Sequence, residues 1–287
     1  MRLGIMGAGR MGWSLAKLGR HFGDSIDLCI DIDTDAATEF AAAFACLWAK
    51  SPNDAKLKAA LLELDAICLS VNDEAISSCA KTLAGKLSKD CIVFHTSGVL
   101  GSDVLREALS ENACASLHPL APCPLKASSD SENLDHFKGL YYAVEGDEAA
   151  LILMRKFVQR LEGKLVAMMP QDKAKYHAAA VFASNYPLAL VNVAARLFQA
   201  CAFEKKDAYA AAKSLFLRAS HNLAQTSLGA ALTGPAKRGD HETINLHLEA
   251  LSEDPSLELY NLLLDESYQM IADTLALDEK LESEHIK

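Results

Sequence analysis

"GIMGAGRMGWSL", residues 4–15, is the stretch that decides the fold. It sets Gly7, Gly9 and Gly12 in G-x-G-x-x-G register, directly after an apolar run that reads as a strand (2–7) and at the start of a helical pattern. Each glycine has a separate reason: Gly7 for the tight turn, Gly9 so that backbone can approach a pyrophosphate, Gly12 for close helix–strand packing. The helix N-terminus adds free N–H groups and the positive end of its dipole. Gly7, Gly9, Arg10, Met11 and Gly12 are therefore the expected cofactor-binding turn. An ordinary glycine-rich turn could carry the same letters, but here an acidic residue follows at the expected distance. Asp31 stands nineteen positions after Gly12 (31 − 12), at the end of the second apolar run. A carboxylate there accepts hydrogen bonds from adenosine ribose hydroxyls and repels a 2′-phosphate. No Arg or Lys follows until Lys50, so NAD is expected over NADP. Asp33 reads as a solvent-facing neighbour, and FAD has no second signature to support it.

Working outward, short apolar runs alternate with helical patterns through the first half: 26–32, 65–71, 91–96, 113–118, 139–145 and 164–170, with Ala/Leu-rich helical segments such as 34–49 and 74–84 between them. Such alternation implies parallel strands with crossover helices on both sheet faces. From 171 onward the periods are helical, over 172–200, 207–228, 241–252 and 256–280. The expectation is an α/β chain: an N-terminal doubly wound Rossmann domain (1–170), then an all-helical C-terminal domain (171–287). The charged end, 277–287, is expected to fray.

Composition narrows the function. The chain has 287 residues, 51% of them apolar and 23% charged, the profile of a packed globular protein. With 28 basic against 38 acidic side chains the net charge is −10, which repels nucleic acid and anionic lipid. The eight cysteines form no C-x-x-C pair and no zinc spacing. Cys29, Cys68 and Cys91 fall in strand-like runs, as reduced structural thiols of a cytoplasmic protein do. The opening residues read as a strand rather than a signal peptide. The apolar stretch 175–198 is interrupted by Asn185, Pro187, Asn192 and Arg196, so a buried helix is expected there rather than a membrane span. No G-x-S-x-G, H-E-x-x-H or Walker loop supports a hydrolase or NTPase.

Three later segments, "FHTSGVLGSDVL" (94–105), "SLHPLAPCP" (116–124) and "ALTGPAKRGDHETINLHLEAL" (231–251), join "YHAAAVFASNYPLAL" (176–190) and the N-terminus in a pattern. The chain thereby resembles the Rossmann-like proteins whose second domain is domain of unknown function 2520. That branch is similar to 6-phosphogluconate and 3-hydroxyisobutyrate dehydrogenases, ketopantoate reductase and pyrroline-5-carboxylate reductase. The resemblance implies a nicotinamide cofactor, a helical domain that builds a homodimer, and, for some members, ketopantoate reduction. Two departures stand out: Asp31-Ile32 replaces a Ser-Arg pair suited to NADP, and Asn72, in a loop expected beside the nicotinamide, replaces a proline.

Ketopantoate reductases carry a catalytic lysine on the first helix of the second domain, with an asparagine eight residues later. Aligned on "SNYPLAL", His177 falls at the lysine position and Asn185 at the asparagine. At about 100° per residue, positions 177, 184 and 185 share one sector, so His177, Ser184 and Asn185 can point one way. Pro187 removes a helical hydrogen bond and tends to bend the helix. His177 would protonate the alkoxide of a reduced ketone and Asn185 would orient its carbonyl, or else His177 merely bonds a backbone carbonyl. Lys173 and Lys175 are competing donors, read as solvent-exposed. Ser97, after the fourth strand, is expected to meet nicotinamide or substrate, while His95 and His118 read as structural. Arg238, with its planar fork, either holds an anionic substrate or pairs with Asp240. Asp240 is placed both for that substrate site and as a helix N-cap. The functional expectation is an NAD(P)-dependent reductase of a small anionic 2-oxo acid. A cyclic-imine reductase and a non-catalytic NAD(P)-binding sensor are the alternatives.

Overall fold

The computed structural model describes residues 1–285, with side chains through Thr274. Its strands are β1 (Arg2–Met6), β2 (Ser25–Ile30), β3 (Leu47–Ala49), β4 (Ala66–Leu69), β5 (Ile92–His95), β6 (Cys114–Pro119), β7 (Tyr141–Gly146) and β8 (Lys164–Ala167). Helices α1 (Arg10–His21), α2 (Thr34–Phe44), α3 (Lys58–Leu62), α4 (Asp73–Leu83), α5 (Asp103–Arg106), α6 (Asp130–Phe137) and α7 (Glu148–Arg160) separate them. After β8 come α8 (Lys173–Ala200), α9 (Lys205–Gln225), α10 (Leu228–Ala231), α11 (Pro235–Arg238), α12 (His241–Ala250) and α13 (Leu257–His285). Of the end expected to fray, 277–287, the backbone is helical through His285; its side chains and residues 286–287 lie outside the described residues.

Among the described residues the strands form one sheet in the order β3-β2-β1-β4-β5-β6-β7-β8. Helices cover both faces, so the central strands are mostly apolar; β4 is apolar and buried at all four positions. One face packs Trp13, Leu15, Leu18, Phe40, Phe137, Tyr142 and Met154, the other Leu57, Leu61, Leu69, Ile76, Leu83 and Leu105. This is the doubly wound architecture expected, with two corrections. The helix expected over 34–49 stops at Phe44, where Ala45 turns left-handed (φ 52), and Leu47–Ala49 pairs with β2 as an edge strand. Nor is every strand parallel: β7 runs antiparallel to β6. The connection of residues 120–140 packs α6 against α1, through Asn133 on the Ser14 carbonyl, and returns to the edge it left, where Leu120 N–H donates to Tyr141 O.

All eight cysteines are free, and Cys29, Cys68, Cys91 and Cys114 are buried. Burial pushes Cys91 up to about 12 and Cys114 to about 11, so these thiols are inert packing groups.

The chain divides into two compact units between Ser184 and Asn185, inside α8. In the second unit α9, α10, α11, α12 and α13 pack on one another, with Gly229 of α10 against Thr274 of α13. The span Pro170–Ala200 is long and apolar enough to cross a membrane by length and composition, and it corrects the expectation of a buried helix over 175–198: little of it is buried. The helix continues through Pro187.

Candidate active site

The turn after β1 behaves as its glycines require. Gly7 has φ +105, and a Cβ there would stand 2.5 Å from the Ser70 carbonyl oxygen. At Gly12 a Cβ would overlap the Gly7 carbonyl. Gly9 is different: a Cβ would meet only the Ser70 carbonyl oxygen, at 4.0 Å, so its outer side is an open cradle. Gly9 also caps α1 without a side-chain bond, and no acidic residue occupies the first turn. The first-turn amides of Arg10, Met11 and Gly12 precede the first residue that can close an α-helical bond on the cap, Trp13 N–H to Gly9 O at 3.0 Å.

Asp31 anchors this turn from β2. Its Oδ2 accepts the Ala8 N–H at 2.6 Å and its Oδ1 the Asp33 N–H at 2.9 Å. Each oxygen keeps a second lone pair, the capacity a ribose hydroxyl needs. Asp33 is exposed, as expected, but not idle: it is the N-cap of α2, accepting from the amides of Asp35 and Ala36. Where the resemblance expects arginine, Ile32 is 86% exposed. Asn72 is an exposed residue at the N-cap position of α4 and makes no side-chain cap bond.

A second set of groups follows the carboxyl ends of β5 and β6, the edge where open α/β sheets bind ligands. His95 is buried; its Nε2 lies 2.9 Å from the Gly101 carbonyl while Nδ1 accepts the Ser97 N–H, an arrangement that assigns the proton to Nε2. Burial holds this imidazole down at about 4, neutral and structural as the sequence suggests. Ser97 is buried too, and its Oγ accepts the N–H groups of Val99 and Leu100. The hydroxyl expected to meet ligand thus builds the loop, whereas the Ser97 carbonyl accepts the ammonium of Lys173 at 3.0 Å.

Lys173 corrects the sequence reading most sharply. Expected at the surface, it is 1% exposed, with Nζ donating to Ser97 O and to Ser116 Oγ at 2.5 Å. Position explains this: Lys173 opens α8 straight after the Pro170–Asp172 turn, and its stem reaches inward to the loop after β5. Burial lowers its pKa to about 8, with Glu145 and Asp73 opposing the shift. Lys175, two residues on, is exposed as expected.

Tyr176 and His177 follow one turn later. Tyr176 Oη lies 2.8 Å from His118 Nδ1, and burial raises that phenol to about 12. His118 is held near 4, first by burial and then by the charges of Lys173 and His177. The half-buried His177 ring is edge-on to His118 at 6.1 Å. Both rings press on Gly98, where a Cβ would overlap His177 Cδ2 and stand 3.0 Å from His118 Nε2. The structure brings His177 and Ser97, both expected from the sequence, near one another, and adds Lys173 and Tyr176, which sequence reasoning did not expect as buried polar groups. The signal was available: positions 173, 176 and 177 share one helix face at i, i+3, i+4 spacing.

The remaining expected residues are placed as follows. Ser184 Oγ donates to the Ala180 carbonyl of its own helix at 2.7 Å. Asn185 opens the second unit. Within that unit Asp240 caps α12, taking the Thr243 N–H at 3.1 Å and its hydroxyl at 2.8 Å, and Arg238 pairs with it at 3.7 Å.

Residues 140–267 match the family described as domain of unknown function (DUF2520). No curated protein matches the sequence. Among solved structures, a Thermotoga maritima protein superposes with TM-score 0.72 at 21% identity, over 96% of this chain and 99% of that one. A 1-pyrroline-5-carboxylate reductase from Streptococcus pyogenes gives 0.61 at 14% identity, over 94% and 98%. Prephenate dehydrogenase from A. aeolicus, in complex with hydroxyphenyl propionate and NAD+, gives 0.57 at 20% identity, over 100% and 98%. At these identities the likeness is one of fold.

Proposed function

We propose that the protein is an NAD(P)-dependent oxidoreductase that reduces a small anionic 2-oxo acid, with ketopantoate the first substrate to try and NADH the preferred reductant. The observation that carries this reading is the buried ammonium of Lys173, fixed beside His118, Tyr176 and His177 in the same compact unit as the glycine-rich turn. The turn fits a dinucleotide: the open side of Gly9 admits a pyrophosphate, the amides of Arg10, Met11 and Gly12 donate to it, and Asp31 accepts from ribose. Bound there, a reduced nicotinamide supplies the hydride. The fold relatives named above, one of them holding NAD+, support this chemistry.

The chain's own residues do the rest. Lys173 is held by Ser97 and Ser116, and its fixed positive charge favours an oxygen that becomes negative as a carbonyl is reduced. His177, the half-buried ring beside Gly98, delivers the proton that oxygen takes up. His118 is neutral and bonded to Tyr176, and orients this wall of the site rather than exchanging protons.

The test is to mix purified protein with ketopantoate and NADH or NADPH and follow loss of reduced-nicotinamide absorbance. Turnover that favours NADH is the expected result, because Asp31 repels a 2′-phosphate. Turnover only with pyrroline-5-carboxylate would replace this reading with imine reduction. Tight cofactor binding without turnover of either substrate would make the protein a nucleotide sensor.

A homodimer through the helical domain belongs to the same proposal. The second unit exposes Leu188 (63%), Leu215 (62%), Leu217 and Leu262 (62%), and a second copy of this chain, which presents the same apolar helices, is the occupant. A net charge of −10 disfavours anionic membranes and nucleic acid as partners. Light scattering should give about twice the 30.9 kDa chain mass, and Leu188→Asp with Leu215→Asp should halve it; a wild-type monomer refutes the dimer. Eight free thiols support a reducing, cytoplasmic setting.

A further inference from the structure

A polar row crosses three strands beneath Lys173. His95 of β5 registers with Ser116 of β6, and Ser116 registers with Glu145 of β7. Directly opposed residues on neighbouring strands share a sheet face, with Cβ atoms about 5 Å apart. Lys173 Nζ bonds the middle member, Ser116 Oγ. Glu145 is 6% exposed, and both its oxygens are occupied: Oε1 takes the Ser102 N–H at 2.6 Å and Oε2 the Ser102 hydroxyl at 2.8 Å. It is the one acidic residue among the described residues that is buried as a whole.

We propose that Glu145 is a positioning residue for Lys173: from the neighbouring strand, its carboxylate, clamped by Ser102, keeps the buried ammonium charged and seated on Ser97 and Ser116. This rests on the reading of Lys173 as part of an oxidoreductase site and deepens it. The carboxylate makes no direct ion pair with the ammonium, so it acts through space, in a buried setting where screening is weak. The other groups facing Lys173 cannot substitute. Asp73, at the start of α4, is exposed and screened by water. His95 and His118, from β5 and β6, are neutral, and Tyr176 and His177, on its own helix, bring no negative charge near pH 7. Without Glu145 the burial that already lowers Lys173 to about 8 acts with little to oppose it.

The test titrates Lys173 by its ¹³Cε signal in lysine-labelled protein, assigned by its loss in Lys173→Met, and needs no substrate. Glu145→Gln should lower the Lys173 midpoint by about one pH unit or more, and Glu145→Met serves where Gln does not fold. Glu145→Asp, which keeps the charge, should restore most of the wild-type midpoint. An unchanged midpoint in the neutral variant overturns the proposal, as does an equal fall in Glu145→Asp, which would assign the effect to packing. A shifted midpoint in a protein that turns over no substrate would sustain the coupling while removing the oxidoreductase reading.

Discussion

Lys173→Met is expected to lower kcat by about two to three orders of magnitude, the cost of deleting one preorganised group that stabilises a developing negative oxygen. Cofactor binding should stay within a few-fold, because the glycine-rich turn makes none of the Lys173 bonds. The fold should survive: Met occupies the volume of the lysine stem, and removing a buried charge relieves its desolvation. The partners left behind are two, and Ser116 Oγ already donates to the Ser97 carbonyl at 3.4 Å. The pH dependence separates this from a packing effect. Lys173 is ionised below about 8, so wild-type turnover should fall as pH rises through that value. Lys173→Met should lose this alkaline limb, whereas His177→Gln should be slow at every pH and keep it. Stability runs the opposite way. The folded pKa lies below the ordinary 10.5 of lysine, so between about 8 and 10.5 the unfolded chain binds the extra proton and wild-type stability rises with pH relative to the variant. Turnover in Lys173→Met within a factor of about three of wild type would remove Lys173 from the mechanism and leave His177 alone.

What the sequence made legible follows how local each signal is. The glycine turn is encoded within six residues: the reasons given for Gly7 and Gly12 are met by backbone neighbours in space, and Gly9 has an open side. Strands β1, β2, β4, β5 and β6 are legible because strands covered on both faces become continuous apolar runs. Strand β3 has only three residues and follows an Ala-rich helix with no glycine at its end. The reversed direction of β7 is not written in its own residues, since direction depends on the connection before it. The site divides the same way. His177 and Ser97 were singled out from motif position, but lysine reads as a surface residue unless its acceptors are known. Those of Lys173, Ser97 and Ser116, lie 76 and 57 residues away. Glu145 was hidden for the same reason, inside a run that reads simply as strand.

Gly9→Ala and Gly12→Ala should part company, and that divergence is the sharper test of the nucleotide site. At Gly9 the backbone is ordinary and the space beside it is open, so alanine should leave the melting temperature within about 2 °C of wild type. Its methyl group nevertheless fills the side from which a pyrophosphate approaches, so NADH affinity should fall by about ten- to a hundred-fold, roughly the loss of one or two hydrogen bonds to a charged group. At Gly12 a methyl group overlaps the Gly7 carbonyl, which is backbone and is itself tied to Ser70 Oγ at 2.9 Å. Relief requires α1 to move away from β1, which opens the core around Leu15 and Leu18. Gly12→Ala should therefore lose binding and several degrees of melting temperature together, as overpacking costs of about 1–3 kcal/mol imply. Titration of the two variants with NADH beside thermal melts separates a site from a scaffold. Equal NADH affinity in Gly9→Ala and wild type would mean that the open cradle at Gly9 does not receive the pyrophosphate, and the dinucleotide reading would fall even with the fold intact.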